Sequence, residues 1–155
     1  MGGIGSGWQC ERKLAVEECL TLPASLFRRK VAEDGFASGT VSWSHPGADP
    51  FASIRYAATL SHDGSGYIRL RYMARGESMD YRVRLVTTRP NYGGLRWWFL
   101  CPVSAERGIE KRAAKIYLPP RAKVFGCREA HDLTYQSCRE SWQFRNLFVR
   151  LAAAT

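Results

Sequence analysis

The chain has 155 residues, 45% of them hydrophobic and 24% charged, which is enough for one domain with a sizeable core. It contains no apolar run of the roughly 20 residues that a membrane-spanning helix needs, and its glycine-rich start does not resemble a signal peptide. Its five cysteines are scattered and give no disulfide-rich spacing. The composition therefore predicts a cytoplasmic protein without a membrane partner.

The charge is strongly positive and unevenly distributed. Lysine and arginine together number 23 and acidic residues 14, so the formal net charge is +9. Residues 1–50 carry 5 basic and 6 acidic groups (net −1), whereas residues 51–155 carry 18 basic and 8 acidic groups (net +10). Most of the cations are arginines, whose planar fork suits phosphate and carboxylate groups. We therefore expect nucleic acid or an acidic protein surface as the partner, the alternative being that the charge only maintains solubility.

The first 36 residues predict an arm followed by short helices. Residues 1–13 are glycine-rich and predict a flexible arm, because neither a preceding strand nor a following Lys-Ser/Thr supports a phosphate-binding loop. Residues 14–36 are predicted to be helical: Pro23 suits a first helical turn, Phe27 and Val31 share an apolar stripe, and Gly35 suits a C-terminal cap. Two short helices with a basic run leave two interpretations open, a helix-turn-helix and a helical pair that covers one side of a sheet.

Residues 37–90 predict an antiparallel meander. Apolar and polar residues alternate with period two in three consecutive segments, and turn residues separate the segments. One face of the predicted sheet is apolar. The opposite face is predicted to present a tyrosine and five arginines, which are Arg55, Tyr67, Arg69, Arg71, Arg82 and Arg84.

This predicted face is the candidate binding site that follows from the residues alone. Guanidinium groups on neighbouring strands repel one another, so either acidic side chains or a bound polyanion should offset the repulsion. Tyr67 would offer a ring on which a base could stack. The alternative is a solvated outer face with independently hydrated arginines.

Two short segments in the last third resemble the halves of a zinc ribbon. Such a fold uses two C-x-x-C turns at the tips of two β-hairpins to supply four thiolates. Here Cys101 and Cys127 occupy the first position of each turn, but Ser104 and Ala130 occupy the second. His131 could add a third ligand, but structural zinc is nearly always closed by four protein groups. We therefore expect no zinc and no other cofactor, and hairpins that persist by apolar packing.

The resemblance extends beyond these positions. Residues 92–102, 114–120 and 125–140 are similar to a widespread group of uncharacterised bacterial zinc-ribbon-like proteins. The pattern of that group runs G-G-x-R-x-W-F-x-C-P, K-x-Y-L-P and C-R-x-C-H-x-L-T-Y-x-S-x-R-E. The resemblance implies a cytoplasmic fold of mobile-element origin and a branch that has lost its metal ligands. It implies no activity.

The last residues predict an amphipathic helix. Ser137 and Glu140 fit a capping box, and Phe144, Leu147 and Leu151 repeat at helical spacing. We expect this helix to pack onto the sheet, with a homodimer contact as the alternative.

Together these features predict an α+β fold. Its parts are an arm at 1–13 and a single domain at 14–155, divided into helices (14–36), an antiparallel sheet (37–90), a degenerate ribbon (91–136) and a helix (137–155).

The histidines are scattered and form no nucleophile–base set, so we expect no enzymatic activity. The predicted function is nucleic-acid binding through the arginine-rich sheet face, aided by basic residues near the ribbon. These are Lys111, Arg112, Lys115, Arg121, Lys123 and Arg128. The alternative is a phage- or mobile-element-encoded protein-interaction module, such as an inhibitor of a host defence complex, because aromatic residues and arginine are enriched at interface centres.

Overall fold

The computed structural model describes residues 12–31 and 35–138. The elements are mostly antiparallel strands, joined by a 3₁₀ turn at Val16–Glu18 and two short helices. The helices are α1 (Ser25–Val31) and α2 (Pro102–Glu106). The strands are β1 (Leu20–Pro23), β2 (Phe36–Ser44), β3 (Pro50–Leu60), β4 (Ser65–Ala74), β5 (Glu77–Thr88), β6 (Arg96–Leu100), β7 (Arg112–Ala113) and β8 (Lys115–Leu118). The predicted α+β class agrees with this architecture.

The main sheet is a six-stranded antiparallel meander in the order β2-β3-β4-β5-β6-β7. The predicted alternation is confirmed, since Ile54, Ile68 and Val83 are buried on one side while the arginines between the apolar positions face outward. The β4–β5 hairpin turns on Arg75 and Gly76, which both have positive φ values (51° and 79°). A two-residue turn of this kind matches the twist of the flanking strands, and β5 begins directly after it, at Glu77.

The apolar side of the sheet is covered by α1 and by a small second sheet in which β1 pairs with β8. Phe27 of α1 is fully buried and contacts Tyr56 and Phe99 edge-on, with ring centroids 4.9 and 6.2 Å apart. Leu22 of β1 and Ile116 of β8 are also fully buried in the same core. The main core therefore lies between the meander and this cover, and the arginines are on the other side.

The prediction that residues 14–36 are helical is wrong in part. Leu20–Pro23 forms strand β1, antiparallel to Lys115–Leu118, and α1 begins two residues after Pro23. The distant β8 satisfies the backbone groups of this segment and Leu22 enters the core, so tertiary pairing outweighs local helical preference. The end of α1 agrees with the prediction, because Gly35 has a φ of +66° and its amide donates to the Val31 carbonyl.

The predicted double hairpin of a zinc ribbon is not confirmed. β6 returns through β7, but Cys101 is the N-cap of α2 within a long connection. β8 pairs with β1, and its return toward Cys127 consists of an isolated bridge between Tyr117 and Gly126. The expected apolar packing of this region is present: Trp97, Phe99, Ile116, Tyr117, Leu118 and Phe125 are buried.

Two predicted parts lie largely outside the described residues. These are the N-terminal arm at 1–13, of which residues 1–11 are not described, and the C-terminal helix at 137–155, of which residues 139–155 are not described. The homodimer through that helix therefore stays a prediction. Within 12–31 and 35–138, no helix has the length and apolarity required to cross a membrane.

Candidate nucleic-acid interface

Strands β3, β4 and β5 align the predicted arginines on the outer side of the meander. We call this surface the arginine face and define it by Arg55, Tyr67, Arg69, Arg71, Arg82 and Arg84. The strand register places Arg55 directly opposite Arg71, and Arg69 directly opposite Arg82. Opposed residues on adjacent strands lie close together, so the predicted like-charge crowding is present. The structure thus brings all six predicted sheet residues onto one surface.

Asp80 partly neutralises the arginine face. Its two carboxylate oxygens accept hydrogen bonds from Arg69 Nε and Nη2 at 2.6 and 2.8 Å, and Arg71 Nε donates to it at 3.1 Å. The hydrogen bonds from Arg69 outweigh the opposing effect of burial and hold the pKa of Asp80 below its usual range. The prediction did not include Asp80, although it follows the same alternation as Arg82 and Arg84.

The other members of the arginine face are held in different ways. Arg84 Nη1 donates to Glu110 at 2.9 Å, and the Arg82 guanidinium lies 4.6 Å from the centre of the Tyr67 ring. Tyr67 therefore stacks with an arginine, where we predicted a ring free for a base. Arg55 has no acidic partner within the described part of the chain.

The six predicted cations near the ribbon do not form one patch. Four of them, Lys111, Arg112, Lys115 and Arg128, line a single surface cavity beside β7 and β8. Lys123 instead pairs with Glu77 near the β4–β5 turn. Arg121 lies nearby, since its carbonyl accepts a hydrogen bond from Arg75 Nη1 at 3.0 Å.

The relic positions converge on one cluster, which we call the thiol site: Cys101, Ser104 and Cys127, which are buried, and Ala130, which is half-buried. The Cys127 amide donates to Cys101 Sγ at 3.1 Å, and Ser104 Oγ lies 3.8 Å from Cys127 Sγ. The amides of Ser104 and Ala130 also donate to the sulfur three residues before them, Cys101 and Cys127 respectively. Two chain turns therefore each direct a backbone N–H at a thiol.

The thiols differ in acidity because their surroundings differ. Burial acts to raise the pKa of Cys101, but hydrogen bonds from the Ser104 hydroxyl and from backbone amides outweigh it and hold the pKa below the ordinary value. Burial raises the pKa of Cys127, and the neighbouring Cys101 thiol adds to this. As the pH rises, Cys101 therefore loses its proton before Cys127 does.

The donor set at the thiol site does not fit structural zinc. Two thiols and a serine hydroxyl are present, and the Ala130 position offers only a methyl group. His131 Nε2 is hydrogen-bonded to the Val124 carbonyl at 3.1 Å, and no hydrogen bond joins this ring to either thiol in the described residues. In the described ranges, no three His, Cys, Asp or Glu side chains are grouped as metal ligands.

The histidines do not form a nucleophile–base pair in the part of the chain that is described. His45 stacks on Phe51 with centroids 4.9 Å apart, and His62 is exposed in the β3–β4 turn. Burial lowers the pKa of His131, whose ring nitrogen bonds to a backbone carbonyl. The absence of enzymatic activity stays a prediction.

Comparisons with known proteins identify no relative of this chain. No protein family matches it, and no characterised protein or solved structure is detectably similar to it. The resemblance to zinc-ribbon-like proteins is therefore carried by the sequence motifs and stays a prediction.

Proposed function

We propose that this chain is a non-enzymatic nucleic-acid-binding protein that contacts the phosphate backbone through the arginine face. The observation that carries the proposal is the alignment of five arginines on one side of three adjacent strands. Asp80 and Glu110 are the carboxylates that pair with these arginines, so five positive and two negative charges leave a local charge of +3. A rigid, positively charged surface of this kind binds a polyanion by releasing its counterions.

Arg55 and Arg82 are the members of this face best placed for phosphate. Neither forms an ion pair with a carboxylate in the described residues, and both are exposed. Arg69 and Arg71 share one carboxylate, so together they keep one unit of positive charge. The proposal covers DNA and RNA alike, because backbone contacts do not distinguish base sequence.

The test is salt-titrated binding of fluorescent oligonucleotides to wild-type protein and to the double variant R55Q/R82Q. Each phosphate contact contributes about one to the slope of log affinity against log salt, so the variant should lose about two from the slope. The control R28Q/R89Q removes two exposed arginines elsewhere, one on α1 and one beyond the end of β5. Equal losses in both variants would show non-specific charge attraction and contradict the proposal.

A second function, a protein-interaction module of mobile-element origin, is supported by exposed apolar residues on the same side of the sheet. Phe51 and Met73 are 58% and 66% exposed, and they follow the alternation of Arg55 and Arg71. Aromatic, methionine and arginine side chains are enriched at protein interfaces. Nuclease-resistant capture of one acidic protein, abolished by F51A/M73A, would favour this function over nucleic-acid binding.

For the thiol site, we propose a degenerate zinc-ribbon-like knuckle that holds no metal. This interpretation is supported by two hydrogen bonds, from the Ser104 amide to Cys101 and from the Ala130 amide to Cys127, each joining residues three positions apart. The double variant S104C/A130C should restore four thiols and bind one zinc per chain, whereas the wild type should contain none. Elemental analysis of both proteins measures this, and stoichiometric zinc in the wild type would overturn the proposal. Two thiols this close persist in a reducing compartment, so we propose a cytoplasmic location.

A further inference from the structure

A surface cavity of about 590 Å³ lies beside β7 and β8. Three separate segments line it: residues 16–21, residues 111–117 and residues 127–135. Glu110, which pairs with Arg84 on the arginine face, directly precedes Lys111 of the cavity. Glu110 therefore connects Arg84 of the arginine face to the first basic residue of the cavity lining.

The lining of this cavity, which we call the basic cavity, carries excess positive charge. Its four cations are opposed by two carboxylates, Glu17 and Glu129, which leaves a local charge of +2. Glu129 lies between Lys111 and Arg128, at 3.4 and 3.5 Å from their nitrogen atoms. These distances exceed those of strong charge-assisted hydrogen bonds, about 2.7–2.9 Å, so Glu129 pairs only weakly with both cations. The Arg128 guanidinium also lies 5.3 Å from the centre of the Tyr135 ring.

Arg112 and Lys115 add two charges with no carboxylate partner in the described ranges. Both are exposed, and they lie on either side of Ala114, where β7 ends and β8 begins. The Ala114 carbonyl accepts a hydrogen bond from the Ala24 amide at 2.9 Å, which fixes the backbone between them. A rigid backbone therefore carries the two unpaired cations.

Tyr117 provides a second, independent indication of a ligand. The residue as a whole is 7% exposed and lines the basic cavity, and its hydroxyl has no hydrogen-bond partner in the described part of the chain. Tyr135, Arg128 and Glu17 are among the groups that influence the pKa of this hydroxyl, and all three line the same cavity. This hydroxyl is free to donate its proton to an acceptor atom in the cavity. Burial raises the pKa of Tyr117, so the hydroxyl keeps the proton that it would donate.

We propose that the basic cavity binds a phosphate monoester of a nucleotide, which is the terminal phosphate of a strand if the proposed function holds. A phosphate monoester carries about −1.5 to −2 charge at pH 7 and three acceptor oxygens. This charge complements the +2 of the lining, and its oxygens can accept from arginine, lysine and the Tyr117 hydroxyl together. The Arg84–Glu110 ion pair lies next in the chain to Lys111 of the cavity, so a strand bound on the arginine face is expected to direct its end toward the cavity.

The experiment compares one oligonucleotide with a 5′-phosphate, a 3′-phosphate or hydroxyl ends, together with AMP as the smallest monoester probe. Wild-type protein should bind one phosphorylated strand about tenfold more tightly than the hydroxyl-ended strand, the effect of one charge-assisted hydrogen bond. R112Q/K115Q should reduce this ratio to about one, and Y117F should reduce it by about threefold. The matched control R55Q/R82Q should weaken binding of all strands while keeping the tenfold ratio.

The outcomes separate this proposal from the proposed function. Equal affinity for all three strands, together with no AMP binding, would overturn the basic cavity as a phosphate site and leave the arginine face standing. AMP binding that is lost in R112Q/K115Q, without binding to any strand, would support the cavity and overturn the proposed function. Y117F indistinguishable from wild type would overturn the role of the Tyr117 hydroxyl.

Discussion

The arginine face and the thiol site both come from residues that the sequence marks out, but they lie in opposite environments. Side chains on the arginine face such as Arg69, Arg71 and Arg84 are 40%, 55% and 68% exposed. Cys101 and Cys127 at the thiol site are 0% and 2% exposed. Charges at an exposed surface contribute little to folding stability, whereas buried groups are coupled to it. Substitutions on the arginine face should therefore alter binding, and substitutions around the thiol site should alter stability.

The largest expected effect is at Phe125, two residues before Cys127. Phe125 is fully buried, edge-on to Tyr72 at 5.5 Å and stacked near Trp43 at 6.5 Å. F125A should reduce the free energy of unfolding by about 3–5 kcal/mol, because it removes buried area and leaves a cavity. The control F51A, at a 58% exposed position, should change it by less than about 0.5 kcal/mol. Denaturant unfolding followed by circular dichroism measures both free energies. Similar losses in the two variants would contradict the expected difference in stability between the buried and the exposed position.

A smaller loss of stability is expected at Tyr81. Its hydroxyl accepts a hydrogen bond from the Phe125 amide at 2.9 Å and bonds to the Tyr72 hydroxyl at 2.8 Å. Y81F leaves that amide without a partner and should lower the free energy of unfolding by about 1–3 kcal/mol. Y67F removes a hydroxyl on the arginine face and serves as the matched control. Denaturant unfolding of the two variants should separate them, and equal stabilities would mean that water replaces the lost acceptor.

On the arginine face, Asp80→Asn should strengthen nucleic-acid binding while barely changing stability. The substitution releases Arg69 and Arg71 from their shared carboxylate, so the salt slope should steepen by about one. D132N is the matched control: it removes an equal charge elsewhere, and asparagine tolerates the φ of +50° at that position. Fluorescence anisotropy at several salt concentrations gives both slopes. Weaker binding by D80N would show that Asp80 organises the face rather than neutralising it.

The smallest expected effect is a pH dependence at His131. Burial lowers the pKa of this histidine from its ordinary value of 6.5, so the unfolded chain takes up the proton more readily than the folded chain. Folding stability should therefore fall as the pH drops below about 6.5, and level off below the folded-state pKa. Thermal unfolding between pH 7.5 and 5 measures this decline, which H131Q should reduce. H62Q, in the exposed β3–β4 turn, should keep the decline of the wild type.

Much of the meander and the arginine face could be predicted because alternation is a local property of the chain. Positions two residues apart share a face of a strand, which is sufficient to place Arg69 with Arg71 and Arg82 with Arg84. The same rule assigns Asp80 to that face, but only the register of β4 against β5 shows that it contacts Arg69 and Arg71. The resemblance of two segments to zinc-ribbon halves likewise predicted that Cys101 and Cys127 lie together, but not the α2 helix that follows Cys101.

By itself, the sequence determined which residues face outward on the meander, where the excess charge lies and which two thiols would meet. The tertiary structure decided that Leu20–Pro23 is a strand, that Tyr67 stacks with Arg82, and that residues 16–21, 111–117 and 127–135 enclose one cavity. The physical reason is the sequence distance over which the interactions act. Alternation depends on neighbouring residues, whereas backbone pairing and cavity formation depend on which distant segment satisfies exposed hydrogen-bonding groups and buries the most apolar area.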